Sequence, residues 1–600
     1  GNLVRAANSH SITCFDYNGN GQIIGQHQWR VPAKEENAQN GLPETDWRDA
    51  QYDMLYLPVT ESIRYHYDFN GNRTATVLPD GRQINYLYYG SGHLHQISLD
   101  DEVISDIERD KLHREIYRTQ GKLASRYELD PLGRLKRQIA ALNELTQTET
   151  AKNAVTSAYA VKRSYGYNRT GNLTHSTDQR TGTTHFEYDK LGRITKAGNE
   201  VFAFDPAHNI LSDLNSPTVP DNRLKTYNGS SYYYDHFGNL IHRELADGEV
   251  QNYFYDLHDQ LVKAEIFKKD GTKETWAYTY DALGRRIGKG RLKNEEVSET
   301  SFPHDLGGNG LENQTRFVWD GSHLLQEIHP DGRYTYLYTD PDSYEPLAQV
   351  HNWTTEDGES RQQTYYFHCD QIGIPREMTD KDGNLLWFGN YTGWGRLKEE
   401  TRVTDSAYQP FRLQNQYCDR ETGLHYNFFR YYEPDAGRFV NQDPIKLKGG
   451  NNFYQFAPNT TKWNDPLGLM NKCDNCSKTG VDINLVQDEA KTYVDNIPRE
   501  NFPEGDFLVG AHGNSSIVAT NGPNQNLFTP RQLAELIKQH PQYSEGKPVT
   551  LVACQTGKGD NSFAQKLANE LKAPVRGATE NVSAVTGEVL NGGKYVTFKP

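Results

Sequence analysis

The first two-thirds of the chain alternates apolar and polar residues over short runs, and each run ends at a turn that contains glycine. In one example the alternating residues 185–189, HFEYD, lead into a turn at Gly192, and a second alternating run, RITKA, follows. A period of two is typical of a β-strand with one buried face, and Asp and Gly suit tight hairpin turns. Each such unit therefore predicts a β-hairpin.

The unit recurs in degenerate copies from residue 16 to about residue 430. Further copies are YDALGR at 280–285, YDHFGN at 234–239 and DPLGR at 130–134. Recurrence of one supersecondary unit predicts a continuous, quasi-one-dimensional sheet rather than a globule. One stretch, residues 139–162, breaks the pattern and predicts a local helix, which we expect to be an insertion or strap.

The composition supports a thin sheet rather than a large aliphatic core. Hydrophobic residues make up only 35% of the 600 residues, with 38 Tyr against 3 Met, and the mean hydropathy is -0.83. A tyrosine ring can pack while its hydroxyl reaches water. A sheet wetted on both faces is therefore compatible with this composition.

Charge and cysteine content limit the classes of function. The net charge of -15 disfavours a body that binds nucleic acid, because phosphate binding needs a basic field, so we expect no nucleic-acid partner. Six cysteines are too few for a disulfide framework.

No apolar run approaches the length of a membrane span, and no signal peptide is visible at the start of the chain. Since it starts at Gly1 in repeat-like sequence, we expect a fragment with further segments upstream.

Residues 431–469 mark a change in the character of the chain. Two Asp-Pro dipeptides, Asp443-Pro444 and Asp465-Pro466, bracket a segment rich in Gly, Asn and Tyr. Two carboxylates held close together cannot both ionise easily, so the pair can share one proton and activate a water molecule. Proline fixes the backbone after each carboxylate. The residues alone leave open the alternative that both dipeptides simply form turns.

The complete motif of this segment resembles the closing motif of Rhs/YD-repeat proteins. That family includes polymorphic toxins and the C component of insecticidal toxin complexes. The matching residues are Gly437-Arg438-Phe439, Asp443-Pro444 and the run DPLGL at 465–469. With the upstream repeats, the resemblance covers residues 1–469.

This resemblance implies both an architecture and a reaction. Residues 1–430 would form a mainly β, hollow YD-repeat shell, and residues 431–469 an intramolecular aspartyl protease. That protease would use Asp443 and Asp465, with Arg438 stabilising or orienting a carboxylate. It would cut between Leu469 and Met470. Residues 470–600 would be the variable toxin held by the shell.

The sequence after residue 470 predicts a small α/β domain with a parallel sheet. Residues 506–511 and 548–553 are short apolar runs typical of buried strands, and a helical pattern separates them. It starts at Thr529-Pro530, with Gln532 completing a capping box. Strands joined through helices pair in parallel, and their sites lie beyond the carboxyl ends of the strands. His512 and Cys554 both fall there.

These two residues suggest a cysteine nucleophile with an imidazole base. The amides of Gly513 and Cys554 would supply an oxyanion hole. The local sequences AHG and VACQTG resemble those of caspase-type cysteine peptidases, a clan that includes gingipains, legumain and the self-cleaving peptidases of large bacterial toxins. The alternative is structural: a buried Cys is often a small hydrophobe, and a His-Gly pair can end a strand.

Other chemistries remain open for this domain. Cys473 and Cys476 form one CxxC pair, which could join His512 and Cys554 in a zinc site, although we expect no metal and no cofactor. A nuclease or transferase toxin on the same scaffold is the competing enzyme class. A purely structural carrier is the third possibility.

The resemblances together imply a secreted toxin that is delivered into a target cell. The expected partners are a cognate immunity protein, secretion-apparatus or toxin-complex proteins that bind the shell, and a target-cell protein as substrate. No membrane span is expected in this fragment.

Overall fold

The chain divides into two compact units, Gly1–Asp474 and Asn475–Pro600. The computed structural model describes residues 2–30, 61–90, 92–142, 159–212, 219–293, 311–404, 407–469, 472–473, 481–486, 494, 497, 499–503, 506–520, 527–538, 540, 543–559, 561–583 and 586–600. No helix in these ranges is both long and apolar enough to cross a membrane.

In the described ranges of the first unit, the first sixteen strands form one antiparallel sheet, in which each strand pairs with the next along the chain. These strands are β1 (Arg5–Ala7), β2 (Ser11–Tyr17), β3 (Ile23–Arg30), β4 (Glu61–Tyr67), β5 (Arg73–Val77), β6 (Gln83–Tyr89), β7 (His93–Leu99), β8 (Glu102–Arg109), β9 (Glu115–Gln120), β10 (Leu123–Leu129), β11 (Leu135–Leu142), β12 (Tyr159–Tyr167), β13 (Leu173–Asp178), β14 (Gly182–Tyr188), β15 (Ile194–Ala197) and β16 (Glu200–Val201).

A two-stranded pair, β17 (Ala203–Phe204) and β18 (Ile210–Leu211), leads into a second large antiparallel sheet with the same order. Its strands are β19 (Thr226–Tyr227), β20 (Ser230–Tyr234), β21 (Leu240–Glu244), β22 (Val250–Tyr255), β23 (Leu261–Phe267), β24 (Lys273–Tyr280), β25 (Arg286–Leu292), β26 (Leu311–Asp320), β27 (His323–His329), β28 (Gly332–Tyr338), β29 (Pro346–Thr354), β30 (Ser360–Cys369), β31 (Pro375–Asp380), β32 (Leu385–Tyr391) and β33 (Leu397–Arg402).

The repeated hairpin is built by an aspartate that organises its own turn. Asp189 accepts hydrogen bonds from the amides of Leu191 and Arg193, at 2.9 and 3.0 Å, and from the Arg193 guanidinium at 2.6 Å. Gly192 has a φ of +75°, which favours glycine. The same aspartate geometry recurs at Asp110 and Asp130. The prediction of a YD-repeat β-shell made of hairpins is confirmed.

The two large sheets pack on each other through an apolar layer. Ile97 and Ile104 of the first sheet lie in one buried cluster with Val318 and Leu347 of the second.

The prediction of a helix over residues 139–162 is wrong at both ends, because these ends belong to β11 and β12. Residues 143–158 lie outside the described residues.

Short strands follow the second large sheet, some of them in the predicted closing segment, residues 431–469, and others directly before or after it. These are β34 (Tyr417–Cys418), β35 (His425–Asn427), β36 (Arg430–Glu433) and β37 (Arg438–Phe439), which form one antiparallel sheet, and β38 (Trp463–Asn464), which pairs with β39 (Lys472–Cys473). Strand β36 runs through the boundary predicted after residue 430. The bond between Leu469 and Met470 lies between the paired strands β38 and β39.

The second unit is an α/β domain. Its elements are β40 (Ile483–Asn484), β41 (Phe507–Gly510), β42 (His512–Gly513), β43 (Val518–Ala519), β44 (Leu527–Phe528), α1 (Pro530–Lys538), β45 (Val549–Val552), α2 (Phe563–Leu571), β46 (Val575–Ala578) and β47 (Tyr595–Phe598). A short 3₁₀ turn occurs in this unit at Arg499–Asn501, and two others occur in the first unit, at Pro220–Asn222 and Lys446–Lys448.

The main sheet of this unit has the order β40-β41-β45-β46-β47. Its first four strands are parallel and β47 is antiparallel, so the predicted parallel sheet is confirmed. The capping box forms as predicted: the Gln532 side chain accepts the Thr529 amide at 3.0 Å, and Thr529 Oγ1 accepts the Gln532 amide at 3.3 Å. The apolar faces of α1 and α2 bury Leu533 and Leu567 in the core of the sheet.

Candidate functional sites

The centre of the closing segment is a buried arginine between two buried carboxylates. Arg430 Nη2 lies 3.3 Å from Asp443 Oδ2 and 3.4 Å from Asp465 Oδ2. The guanidinium also stacks on Phe439, with Cζ 3.6 Å from the ring centroid. Burial lowers the pKa of Arg430 to about 10, which leaves it protonated at neutral pH. The structure therefore brings the two predicted aspartates together around one cation.

Asp465 holds the turn that leads to the predicted cleavage site. Its Oδ1 accepts the Leu469 amide at 2.9 Å, and its backbone carbonyl accepts the Asn427 side chain at 2.7 Å. Gly468 has a φ of +64°, and a methyl group there would lie 2.7 Å from the Asn427 carbonyl oxygen. Its own carbonyl accepts a short hydrogen bond from Arg430 Nε. The backbone at Gly468, just before the predicted scissile bond, is thus in contact with both Asn427 and Arg430.

Asp443 faces the carbonyl of the predicted scissile bond. A methyl group placed on Gly449 would lie 2.1 Å from Asp443 Oδ2 and 2.7 Å from the Leu469 carbonyl oxygen. Those two oxygens therefore border the same small space beside Gly449. Burial raises the pKa of Asp443, although Arg430 opposes that shift. A raised pKa keeps a larger share of the carboxyl protonated, which is the form that can donate to a carbonyl oxygen.

Arg438 lies elsewhere than the sequence suggested. Its guanidinium donates to Asn209 Oδ1 at 3.2 Å and to the Asn222 carbonyl, and it stacks 4.8 Å from the ring centroid of Tyr454. Arg430, not Arg438, forms the ion pairs with the carboxylates. The physical reason is strand geometry, because β36 points Arg430 toward the Asp465 turn.

Sequence reasoning missed Arg430 and Gly449. The signal for Arg430 is present in the run NFFRYY at 427–432. A cation in a buried aromatic strand requires a buried anionic partner, but Glu433 and Asp435 are nearer to Arg430 in sequence than the two predicted aspartates are, so the sequence does not identify the partner. Gly449 has no comparable signal, because its φ of -86° is open to any residue. Only the three-dimensional contact shows why it lacks a side chain.

In the second unit, His512 and Cys554 follow neighbouring parallel strands. Gly510 of β41 is in register with Val552 of β45, and each predicted residue lies two positions further along the chain. A methyl group on Gly513 would lie 3.4 Å from Ala553 Cβ. The segment that contains His512 therefore packs against the segment that contains Cys554.

The surroundings of Cys554 are partly polar. Its sulfur accepts the Val582 amide at 3.4 Å. Burial, with a smaller contribution from the Cys554 thiol, raises the pKa of Tyr595, so this phenol stays neutral near the sulfur. Gln555 has a φ of +54°, an uncommon conformation for a residue with a side chain. Strained residues of this kind cluster at functional sites.

The zinc set suggested by the sequence includes two cysteines, Cys473 and Cys476, whose side chains the structure does not describe. No group of three or more His, Cys, Asp or Glu residues in the described part of the chain could hold a metal ion. The side chain of Cys473 and all of Cys476 lie outside the described residues, as does Met470 at the predicted cleavage site.

Three family models match parts of the chain. A model described as RHS protein matches residues 364–401 and a Teneurin YD-shell model matches residues 153–300. A domain of unknown function, DUF8616, matches residues 481–595. The first two fall on the hairpin repeats, and the third coincides with the α/β unit.

Several curated proteins, two of them named as toxins, are similar to the chain. It is 39% identical over 466 residues to double-stranded DNA deaminase toxin A of Burkholderia cenocepacia (strain H111), covering 73% of this chain and 31% of that protein. It is 29% identical over 472 residues to toxin protein Tse5 of Pseudomonas aeruginosa, covering 68% and 34%. It is 27% identical over 440 residues to probable deoxyribonuclease RhsB of Dickeya dadantii (strain 3937), covering 70% and 28%. The chain spans about a third of the length of these relatives.

Solved structures share the fold. The TcdB2-TccC3-Cdc42 crystal structure matches with a TM-score of 0.54 at 17% identity, over 78% of this chain and 24% of that one. The Photorhabdus luminescens Tc holotoxin pore matches with a TM-score of 0.53 at 16% identity, over 80% of this chain and 24% of that one. At these identities the likeness establishes a common β-shell architecture.

Proposed function

Because the chain belongs to the Rhs family of YD-repeat proteins, we propose that it is a toxin scaffold that cuts itself between Leu469 and Met470. The observation that supports this most directly is the shared space beside Gly449, which the Asp443 carboxylate and the Leu469 carbonyl oxygen both border. A proton donor at a carbonyl oxygen is what peptide hydrolysis by an aspartate pair requires.

The two aspartates have similar polar partners. In each, one oxygen accepts a backbone amide, from Leu469 for Asp465 and from Ile445 for Asp443, and the other lies beside Arg430. Because burial raises the pKa of Asp443, we assign the proton to Asp443 and the anionic form to Asp465. Asp465 is the base that takes a proton from water, and the water oxygen bonds to the Leu469 carbonyl carbon. Asp443, protonated, gives its proton to the carbonyl oxygen. The C–N bond then breaks as the Met470 nitrogen takes the proton that Asp465 had accepted. One of the two hydroxyl groups on the former carbonyl carbon returns its proton to Asp443, which leaves the carboxyl group of Leu469.

Arg430 is the positioning group in this mechanism. It contacts both carboxylates and the Gly468 carbonyl, so it fixes the aspartates relative to the peptide they cut. Oriented groups of this kind supply much of the rate enhancement in hydrolysis.

A denaturing gel of freshly translated chain tests the proposal. The unmutated chain should resolve into two fragments, and Asp465→Asn should stay intact. The matched control is Asp435→Asn, whose side chain is half-exposed in an ion pair with Arg396 and which should still cut. An intact unmutated chain, or unchanged cutting in Asp465→Asn, would reject the proposal.

For the α/β unit we propose a cysteine peptidase that acts on target-cell proteins. Its support is the equivalent position of His512 and Cys554 at the ends of neighbouring parallel strands. His512 would take the Cys554 proton, and the thiolate would attack a peptide carbonyl to form a thioester with loss of the amine. Water would then hydrolyse the thioester. The amides of Gly513 and Cys554 would stabilise the oxyanion.

Bacterial growth separates this activity from its alternatives. Cells that produce residues 470–600 should stop growing, while cells that produce the Cys554→Ala or His512→Ala variants should grow. Equal toxicity of all three would contradict the peptidase proposal. The alternative is a toxin that acts on nucleic acid, which the names of the deaminase and deoxyribonuclease relatives favour. If the unit acts on nucleic acid instead, the cells that produce it should show DNA damage.

The same family membership supports proposals about partners and delivery. Toxins of this kind need a cognate immunity protein in the producing cell, and the shell would bind secretion-apparatus or toxin-complex proteins. We propose that the protein is secreted and delivers its α/β unit into a target cell. The similar Tse5 and Tc holotoxin proteins support this class of partner.

A further inference from the structure

One backbone carbonyl connects the charged groups of the cleavage site. The Phe453 carbonyl oxygen accepts the Asp443 amide at 3.0 Å and Arg430 Nη1 at 3.0 Å. A shift of the backbone at Phe453 would therefore move the acid and the cation together. The position of this residue is part of the site even though its side chain performs no chemistry.

The residues on either side of Phe453 are held by hairpin turns of the shell. Asn452 Nδ2 donates to the Ala207 carbonyl at 2.8 Å and to Asn209 Oδ1 at 2.9 Å. The Tyr454 hydroxyl donates to the Gly238 carbonyl at 2.8 Å. Both side chains are buried, with 8% of Asn452 and 1% of Tyr454 exposed. Two separate turns of the shell thus fix the segment that carries the Phe453 carbonyl.

The side-chain amide of Asn209 has all of its donors and acceptors in hydrogen bonds. Its side-chain oxygen accepts from Asn452 and, at 3.2 Å, from Arg438. Its side-chain nitrogen donates to Asp205 at 2.9 Å and to Asn222 at 2.8 Å. With two donors and two acceptors engaged and 3% of the residue exposed, the amide can hold only one orientation.

We infer that Asn209 is a positioning residue for self-cleavage, acting through Asn452 and the Phe453 carbonyl. The inference depends on the self-cleavage proposed above and adds a condition to it. Asn209 precedes Asn452 by 243 positions, so this link forms only after the hairpin at 205–209 has folded and the closing segment has docked on it. A chain with an incomplete shell would therefore keep its C-terminal unit attached.

Two variants break the link from opposite sides. Asn209→Ala removes the side-chain acceptor that the shell offers Asn452 and leaves the Ala207 carbonyl as its other acceptor. Asn452→Asp removes both donations to the shell and retains the side-chain oxygen that accepts the Tyr454 amide at 3.0 Å. The matched control is Asn72→Ala, because Asn72 makes the same amide and side-chain hydrogen bonds to Asp68 as Asn209 makes to its own turn aspartate.

The experiment is a time course of self-cleavage in pulse-labelled, freshly translated full-length chain. Each single variant should cut about tenfold to a hundredfold more slowly than the unmutated chain, because small displacements of reacting groups have effects of this size. The double variant should cut no more slowly than the slower single variant, because both changes remove one link. The Asn72→Ala control should cut at the unmutated rate.

The outcomes separate the two proposals. Cutting at the unmutated rate by Asn209→Ala, or rate losses that multiply in the double variant, would overturn the positioning role while leaving self-cleavage intact. Failure of the unmutated chain and the control to cut would instead reject self-cleavage itself. Near-ultraviolet circular dichroism of each variant, compared with the unmutated chain, checks that the aromatic shell has folded.

Discussion

Gly449 lies so close to the Asp443 carboxylate that a methyl group on its Cα would come within 2.1 Å of Oδ2. The Leu469 carbonyl oxygen borders the same space at 2.7 Å. Real side chains do not approach a carboxylate that closely, so any residue with a β-carbon must displace the Asp443 carboxyl group or the Leu469 carbonyl. The self-cleavage that we propose therefore requires a residue without a side chain at this position.

Gly449→Ala should therefore slow self-cleavage by about a hundredfold, the effect of roughly an ångström of displacement in a reacting pair. The backbone does not oppose the change, since φ is -86°. The control is Gly19→Ala, where no atom lies within 4 Å of the added methyl group. The measurement is the rate of fragment formation on a denaturing gel, and equal rates for the two variants would contradict the role of Gly449.

Self-cleavage should slow as pH rises through the pKa of Asp443. Burial raises that pKa above the ordinary value of an aspartate, and the mechanism needs the protonated form. Below this pKa the acid is present, and above it the acid is lost, so the alkaline limb of the rate profile belongs to Asp443. Rates measured from mildly acidic to mildly alkaline buffer should show the decline, and a rate that increases across the range would contradict the assignment.

Arg430→Met should destabilise the shell by about 3–5 kcal/mol, because it leaves two buried carboxylates without their cation. The Arg430 side chain is 2% exposed, and those of its partners Asp443 and Asp465 are 4% and 1% exposed. Arg396→Met removes a half-exposed ion pair and should cost about 1 kcal/mol or less. Chemical denaturation followed by near-ultraviolet circular dichroism gives both values, and similar losses for the two variants would argue against a buried ionic centre.

A thiol-reactive probe should label Cys554 in preference to Cys14 and Cys369. Burial raises the pKa of the Cys14 and Cys369 thiols, which lowers their thiolate fraction. Cys554 has the imidazole of His512 as its proposed base and an amide donor at 3.4 Å from its sulfur. Mass spectrometry of the labelled peptides measures the order, and His512→Ala should reduce labelling of Cys554 alone.

The sequence predicts the repeat architecture because each hairpin turn is determined by residues within the turn itself. Asp189 and Gly192 determine their turn without help from distant residues, and such turns recur along the chain. The helix predicted over residues 139–162 fails for the opposite reason: pairing of β11 with β12 outweighs local helix propensity. The order of elements in an α/β unit indicates which strands are neighbours, so the equivalent positions of His512 and Cys554, two residues beyond the paired Gly510 and Val552, could also be anticipated.

The proposed cleavage site could be predicted only in part. Asp443 and Asp465 are recognisable from their motif, but the choice of Arg430 over Arg438 depends on where β36 and β37 lie against the shell turns. The close approach at Gly449 and the hydrogen bond from Asn452 to Asn209 join residues far apart in the chain. Contacts of that kind leave no periodic or compositional trace.

The measurement that tests the central claim most directly is the intact mass of freshly translated chain, with Asp443→Asn beside it. The unmutated chain should give two species, one that ends at Leu469 with the mass of one water added and one that begins at Met470. The Asp443→Asn chain should give a single uncut species. A single species from the unmutated chain, or a cut at any other bond, would contradict the account.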